Sequence, residues 1–346
     1  MRALRPLPRR PAWAAGRAFA CALRHPVAGT INSFTASERA NLDQWLALRS
    51  AMLILSMPGA DSLGNALARE LQCPHEAVDA HRFPDGETLV KLPLPVAGEH
   101  VVFAAQLDHP DEKVLPLLFA ADAARELRAR RITLACPYLP YMRQDHRFRD
   151  GEAVTSRTFA RLLSASFDAL FTVDPHLHRW NSLDDIYRLR GTVVRSAPAI
   201  ANWLAREVDQ PLVVGPDSES AQWVADVARR LDAPWTVMTK QRHGDREVQV
   251  EMAQGVDWSG RTPVLLDDII STGHTLMAAA RALQAAGLRA PVCVGVHALC
   301  DDAAIAGLRA AGVQRVASCD TVPHATNAIS VVPLLAQAIA RLQPSP

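Results

Sequence analysis

The chain has 346 residues, of which 49% are hydrophobic and 21% charged, a balance typical of globular proteins. A formal net charge of +1 gives no reason to expect nucleic acid as a partner, and no apolar run approaches the roughly 18–20 residues of a membrane-spanning helix. This length allows two domains, each with its own hydrophobic core. We therefore expect an enzyme-like globular protein that binds neither nucleic acid nor membrane.

The cysteines are scattered and form no Cys-x-x-Cys pair, which argues against a structural zinc site. No secretory signal is evident, so we expect a protein of the reducing cytoplasm. The six are Cys21, Cys73, Cys136, Cys293, Cys300 and Cys319.

Residues 1–50 differ in composition from the rest of the chain. Six arginines and no acidic residue precede Glu38: Arg2, Arg5, Arg9, Arg10, Arg17 and Arg24. An organelle transit peptide, a disordered basic tail and an unused upstream start codon would each account for this composition. Because the run at 52–56 has the features of a first strand, we predict a basic, weakly ordered extension at 1–50.

From residue 52 onward, short apolar runs alternate with helical patterns. Strands are predicted at 52–56, 101–106, 131–136, 169–173, 212–215, 235–239, 264–267 and 292–297. Helices are predicted near 62–71, 114–129, 154–164, 198–206, 218–231 and 275–286. This alternation is typical of parallel sheets covered by helices on both faces.

The order of the patterns repeats along the chain. A strand, turn, helix and second strand within 101–135 are echoed within 264–295. At the turn, the first copy has the sequence 106–110, whereas the second has an acidic pair and a Ser-Thr-Gly loop. We therefore predict two similar α/β domains in tandem, at 51–197 and 198–346.

Two polar stretches lie in the first half. The segment 81–87 contains Pro and Gly before a strand-like run at 88–91, so a hairpin turn is its simplest interpretation. The segment 137–145 follows a predicted strand, and the carboxyl ends of parallel strands are where such sheets bind ligands. There, Arg143 could hold phosphate and Gln144 a base edge, with a surface ion-pair cluster as the alternative.

Three more candidate positions follow along the chain. His176 comes just after the strand at 169–173, and Asp217 just after the strand at 212–215. A lone histidine in such a place is more often structural than a metal ligand. The segment 238–248 is polar and contains Lys240 and Arg242, and on its own it is typical of a solvated hairpin.

The segment 263–275 is the most informative. Its apolar run 264–266 ends in two adjacent aspartates, and small or hydroxyl-bearing residues follow before a helical pattern begins. Such residues expose backbone N–H groups, and a helix N-terminus, which Thr275 or a neighbour can cap, favours negative charge. The order predicts a phosphate cradle beside carboxylates, with ordinary turn and capping chemistry as the alternative.

This ordering resembles the 5-phosphoribosyl-diphosphate-binding signature of type I phosphoribosyltransferases and ribose-phosphate diphosphokinases. The Phe-x-Asp-Gly-Glu element at 83–87 and the Tyr-x-Arg-Gln-Asp element at 141–145 are similar to those of the diphosphokinases alone. Simple phosphoribosyltransferases have neither element nor a duplicated domain. The resemblance extends from about Met52 to Leu342, and it departs from the family pattern at His274, where small residues are usual.

The resemblance implies two tandem phosphoribosyltransferase-like domains, the first with a degenerate cradle. It implies transfer of the β,γ-diphosphoryl group of ATP to ribose 5-phosphate with Mg²⁺. It also implies a homo-oligomer, a dimer or higher, with an ATP site shared between subunits. Alternatives are a phosphoribosyltransferase, a catalytically silent regulatory paralogue and a plain nucleotide-binding module.

The resemblance also implies the roles of individual residues. The ATP site would comprise Phe83, Asp85, Glu87, Arg143, Gln144 and Asp145. Ribose 5-phosphate would contact Asp267, Asp268, Ser271, Thr272, Gly273 and Thr275. His176 and Asp217 would hold the metal ion. Lys240 and Arg242 would be the catalytic cations over the phosphates.

Overall fold

The computed structural model describes residues 52–177, 180–243, 247–251 and 258–342, and only the backbone of 239–243 and 247–251. The predicted N-terminal extension at 1–50 lies outside the described residues. No helix in these described ranges is long and apolar enough to cross a bilayer.

The first half of the described chain is built around six parallel strands. In chain order its elements are β1 (Met52–Ser56), α1 (Asp61–Leu71), β2 (His75–Ala77), β3 (Asp79–Arg82), β4 (Thr88–Lys91), β5 (His100–Ala104), α2 (Val114–Glu126), β6 (Arg131–Ala135), α3 (Thr155–Ser166), β7 (Ala169–Val173) and β8 (Arg190–Val194). The six-stranded sheet has the order β2-β1-β5-β6-β7-β8, and β3 pairs with β4 in a separate antiparallel hairpin.

The second half repeats this plan. Its elements are α4 (Ala197–Glu207), β9 (Pro211–Gly215), α5 (Ala221–Leu231), β10 (Trp235–Val237), β11 (Thr239–His243), β12 (Glu247–Glu251), β13 (Thr262–Ile270), α6 (His274–Ala285), β14 (Val292–Ala298), α7 (Asp302–Ala310), β15 (Arg315–Cys319), β16 (Asn327–Ile329) and α8 (Val332–Ala340). Its parallel sheet has the order β10-β9-β13-β14-β15-β16, and β11 pairs with β12 in a separate hairpin.

The two sheets therefore have the same topology. In each half the first strand is followed by a helix, an edge strand and a two-stranded antiparallel hairpin before the chain returns to the sheet. This arrangement confirms the predicted fold class, two α/β sheets flanked by helices, and the internal repeat.

The two halves share part of their hydrophobic core. Phe171 of β7 and Leu335 of α8 belong to one cluster of buried side chains, so the last helix of the chain packs on the first sheet. Burial of a leucine or phenylalanine side chain contributes about 1.5–3 kcal/mol, so this shared core stabilises one relative placement of the sheets. The domain boundary between residues 197 and 198 stays a prediction.

The prediction that strand β13 stops at the acidic pair is wrong. β13 continues to Ile270, because β14 pairs with it as far as the Ile270–Ala298 pair. Asp267 and Asp268 thus lie within the strand and not in the loop after it. A sheet position holds their backbone more rigidly than a loop would.

Candidate active site

Asp268 of β13 contacts a histidine from the other half of the chain. Its Oδ2 atom lies 2.7 Å from Nδ1 of His176, which follows β7 in the first sheet. An ionised carboxylate only accepts hydrogen bonds, so Nδ1–H of His176 is the donor and Nε2 takes no part in this contact. A carboxylate that fixes the tautomer in this way is the usual partner of a metal-binding histidine.

Asp267 lies in a strongly electronegative environment. Its Oδ1 accepts a hydrogen bond from the Asp268 backbone N–H at 3.0 Å. Burial, and then the charges of Asp268 and Asp217, raise the pKa of the Asp267 carboxyl above its usual range. A divalent cation would relieve this repulsion, so the donor chemistry fits a hard, oxygen-preferring ion.

Asp217 is placed by the end of β9. It stands at the N-cap of a short 3₁₀ turn, where its Oδ1 accepts a hydrogen bond from the Glu219 backbone N–H at 3.1 Å. Among the described residues, no group of three or more His, Cys, Asp and Glu side chains converges closely enough to hold a metal ion by itself. Mg²⁺ typically takes one or two protein ligands and completes its shell with phosphates and water.

The predicted cradle connects β13 to α6. Gly273 is the N-cap of α6 with a positive φ of 73°, and no side chain caps the helix, so capping by Thr275 does not occur. The first-turn N–H groups of a helix have no intrahelical partner and attract anions. Ser271 and Thr275 are half-buried, whereas Thr272 is exposed.

The loop after β6 adds Arg143 to this region. Arg143 lines a small cavity together with His176 and Ile269, one residue beyond the acidic pair. The two residues that follow Arg143 make contacts within the first half instead. Gln144 Oε1 accepts a hydrogen bond from the Thr155 hydroxyl at 3.0 Å, and the buried Asp145 lies 2.6 Å from His146 Nδ1.

The hairpin β3–β4 holds the other three residues predicted for the ATP site. The Phe83 N–H donates to the Glu87 carbonyl at 2.8 Å, and the Glu87 N–H donates to Asp85 Oδ1 at 3.1 Å. The ring of Phe83 is 40% exposed and touches His81 edge-on. Within the described chain these contacts stay inside the hairpin, so the structure does not bring the three residues to Asp268.

The second hairpin carries the predicted catalytic cations. Lys240 and Arg242 are two positions apart on β11, opposite Val250 and Val248 of β12. Strand β12 lies beside α6, the helix that begins at the cradle. The interpretation of 238–248 as a hairpin agrees with the backbone, while the side chains of both cations lie outside the described structure.

The equivalent turn in the first half has a different construction. After β5, Lys113 Nζ forms an ion pair with Asp108 Oδ1 at 2.8 Å. The helix that follows, α2, also begins without a side-chain cap, so capping does not distinguish the two halves. The prediction of one cradle and one degenerate copy stays a prediction.

Comparison with models of known protein families identifies the class of protein to which each half belongs. Residues 191–336 match the model of the phosphoribosyl transferase domain, the class to which the second sheet belongs. Residues 52–166 match the model described as the N-terminal domain of ribose phosphate pyrophosphokinase. The chain belongs to the ribose-phosphate pyrophosphokinase family, which confirms the resemblance found in its motifs.

Individual relatives match over nearly their whole length. The ribose-phosphate pyrophosphokinase of Methanopyrus kandleri is 35% identical, over 84% of this chain and 99% of the relative. That of Methanothermobacter thermautotrophicus is 31% identical, over 82% and 98%. The crystal structure of phosphoribosylpyrophosphate synthetase from Mycobacterium smegmatis matches with a TM-score of 0.73 and 26% identity, over 83% of this chain and 97% of that one.

Proposed function

We propose that this protein transfers the β,γ-diphosphoryl group of ATP to the C1 hydroxyl of ribose 5-phosphate, which gives 5-phosphoribosyl 1-diphosphate and AMP. The observation that carries this proposal is the contact of His176 with Asp268, which joins a histidine from one half to the carboxylate pair beside an uncapped helix N-terminus. Membership of the family supports it.

Ribose 5-phosphate would bind at the end of β13. The backbone N–H groups of 271–275 and the hydroxyls of Ser271, Thr272 and Thr275 would hold its 5-phosphate. Asp267 and Asp268 would accept hydrogen bonds from the ribose hydroxyls and leave the C1 hydroxyl directed towards the nucleotide.

The nucleotide phosphates would lie between the two halves. His176, through Nε2, and Asp217 would hold Mg²⁺, which when bound would neutralise the diphosphate charge. Arg143 would orient the same phosphates from the cavity that it shares with His176. Lys240 and Arg242 would stabilise the charge that develops in the transition state, since this reaction depends on positioning and electrostatics more than on covalent help.

A second copy of the chain would complete the ATP site. The β3–β4 hairpin bears Leu89, which is 49% exposed, and α2 beside it bears Leu115 and Phe119, which are 58% and 47% exposed. An apolar face of this kind favours an interface. A homodimer, or a larger assembly, would cover it and present Phe83, Asp85 and Glu87 to the neighbouring subunit. A monomer at micromolar concentration in sedimentation velocity would contradict this assembly.

A cytoplasmic location is part of the same proposal. None of the five described cysteines is in a disulfide, which supports a reducing compartment.

The decisive experiment incubates the purified protein with ATP, Mg²⁺ and ribose 5-phosphate and separates the products by chromatography. We expect AMP and 5-phosphoribosyl 1-diphosphate in equal amounts. ADP in place of AMP would mean single-phosphoryl transfer and would refute the proposed reaction. Turnover only when a nucleobase and phosphoribosyl diphosphate are supplied would indicate a phosphoribosyltransferase. Ribose 5-phosphate binding without turnover under any condition would indicate a silent paralogue.

A further inference from the structure

His297 is a buried histidine that joins the two halves beside the active site. It lies on β14 opposite Ile269 of β13, and its side chain is 1% exposed. Its Nε2 atom lies 3.3 Å from the backbone carbonyl oxygen of Asp174, 123 residues earlier in the chain. A carbonyl oxygen only accepts hydrogen bonds, so the two groups form a hydrogen bond in the tautomer of His297 that carries its hydrogen on Nε2.

Asp174 forms the turn that leads to His176. Its φ of +33° is in the left-handed region, which costs a non-glycine residue about 1 kcal/mol unless other contacts maintain it. Its carboxylate is held from one side, where Oδ2 accepts hydrogen bonds from the Ser196 backbone N–H at 2.8 Å and from the Ser196 hydroxyl at 2.6 Å. The hydrogen bond from His297 to its carbonyl holds the turn from the other side.

The imidazole of His297 is itself fixed in place. Its Nδ1 lies 2.9 Å from the Thr321 hydroxyl oxygen, and the ring of Tyr138 packs edge-on against it with centroids 5.1 Å apart. In the tautomer with Nε2–H, the Thr321 hydroxyl donates to Nδ1, in competition with the Val296 carbonyl oxygen 2.7 Å from the same hydroxyl.

Two neighbouring strands of the second sheet thus contact one turn of the first half. Asp268 of β13 accepts from His176, and His297 of β14 donates to Asp174, two residues before His176. One contact fixes the imidazole and the other fixes the backbone that carries it.

We propose that His297 is a positioning residue, whose hydrogen bond to the Asp174 carbonyl holds the 174–176 turn so that His176 faces Asp268 and the catalytic cation. This inference rests on the proposed function, in which His176 is a ligand of Mg²⁺. His297 itself touches neither substrate nor metal in this assignment.

The test compares two substitutions of His297 that differ in which contact they preserve. In H297N the shorter amide keeps a partner for Thr321 and cannot reach Asp174. In H297Q the longer amide places an N–H donor near the original Nε2 position. Binding of Mn²⁺, used in place of Mg²⁺, is measured by electron paramagnetic resonance without nucleotide, and thermal unfolding is measured alongside.

We expect H297N to weaken Mn²⁺ binding on the order of tenfold, as loss of a supporting contact behind a metal ligand generally does. H297Q should bind Mn²⁺ within about twofold of the unsubstituted protein, since it keeps the donor. The kcat of H297N should fall while its KM for ribose 5-phosphate stays unchanged. Equal Mn²⁺ affinity in H297N and the unsubstituted protein, or an equal loss in both variants, would overturn the proposal.

His176→Ala separates this inference from the function on which it rests. If His176→Ala leaves Mn²⁺ binding unchanged, the metal assignment is wrong and the positioning role is wrong with it. If His176→Ala abolishes binding and H297N does not weaken it, only the positioning role is refuted. Should H297N fail to fold, H297M, which keeps a side chain of similar length without an N–H donor, takes its place, and unchanged Mn²⁺ affinity there would overturn the proposal.

Discussion

Gly273→Ala tests whether the conformation of the cradle loop contributes to ligand binding. Gly273 has a φ of +73°, and a Cβ at this position would lie 3.2 Å from Met277 Cε and 3.5 Å from Leu308 Cγ. The end of a methionine side chain moves easily, so the methyl group itself can be accommodated. The main cost is then backbone strain, about 1–2 kcal/mol for a residue with a Cβ in the left-handed region.

This strain can appear in either of two measurements. If the loop keeps its conformation, the free energy of unfolding falls by the full amount. If the loop relaxes, ribose 5-phosphate must restore the conformation, and the strain appears as weaker binding, up to about 5- to 30-fold in Kd. We expect the losses in stability and in binding free energy to sum to about 1–2 kcal/mol.

Gly287→Ala is the matched control. Gly287 has a φ of +76°, lies just beyond the other end of α6 and has no atom within 4 Å of an added Cβ. Urea unfolding should show a similar loss of stability in this variant, and calorimetric titration should show unchanged ribose 5-phosphate affinity. Equal weakening of binding in both variants, or no loss of either kind in Gly273→Ala, would refute the reasoning. A loss of binding beyond about 100-fold would mean that the methyl group obstructs the ligand directly.

Three further predictions concern the catalytic cations, the metal and the pH dependence of stability. Lys240→Ala should lower kcat on the order of 100-fold or more with the Kd of ribose 5-phosphate unchanged, because a cation that stabilises the transition state is lost. Gln241→Ala is the control. Little loss of turnover in Lys240→Ala would rule out the assignment of Lys240 as a catalytic cation. Asp217→Asn should raise the Mg²⁺ concentration for half-maximal activity about tenfold, and an unchanged requirement would contradict its role as a ligand. Burial, and then the nearby arginines, lower the pKa of His100 to about 4, so its contribution to stability is present above pH 6.5 and is lost as the pH falls towards 4. Between pH 6.5 and 4 the unsubstituted protein should lose about 3 kcal/mol more unfolding free energy than His100→Gln. Identical pH profiles of the two proteins in urea unfolding would exclude the effect.

Local sequence patterns were sufficient to predict the strands whose residues are mainly apolar. The strand predicted at 169–173 has the same bounds as β7, because all five of its residues are buried and apolar or hydroxyl-bearing. The strand β15, Arg315–Cys319, was not predicted, since its mixed composition becomes a buried strand only through pairing with β14 and β16. The end of β13 was misplaced for the same reason, because its partner strand determines where it stops.

The candidate site was predictable as a set of motifs but not as an arrangement. The contact between His176 and Asp268 spans 92 residues, and no local spacing specifies it. His297 was missed entirely, because a single histidine between Val296 and Ala298 in an apolar strand is typical of an ordinary core position. Its role emerges only from the packing of one half of the chain on the other.

The two hairpins also bear on how this architecture can change during evolution. Strands β3–β4 and β11–β12 form ladders of their own and contribute no strand to either six-stranded sheet. Insertions, deletions and substitutions within the two hairpins therefore leave the hydrogen bonds of both parallel sheets intact. The two hairpins stand at equivalent places in the two halves, so their sequences can differ while both sheets keep the same topology.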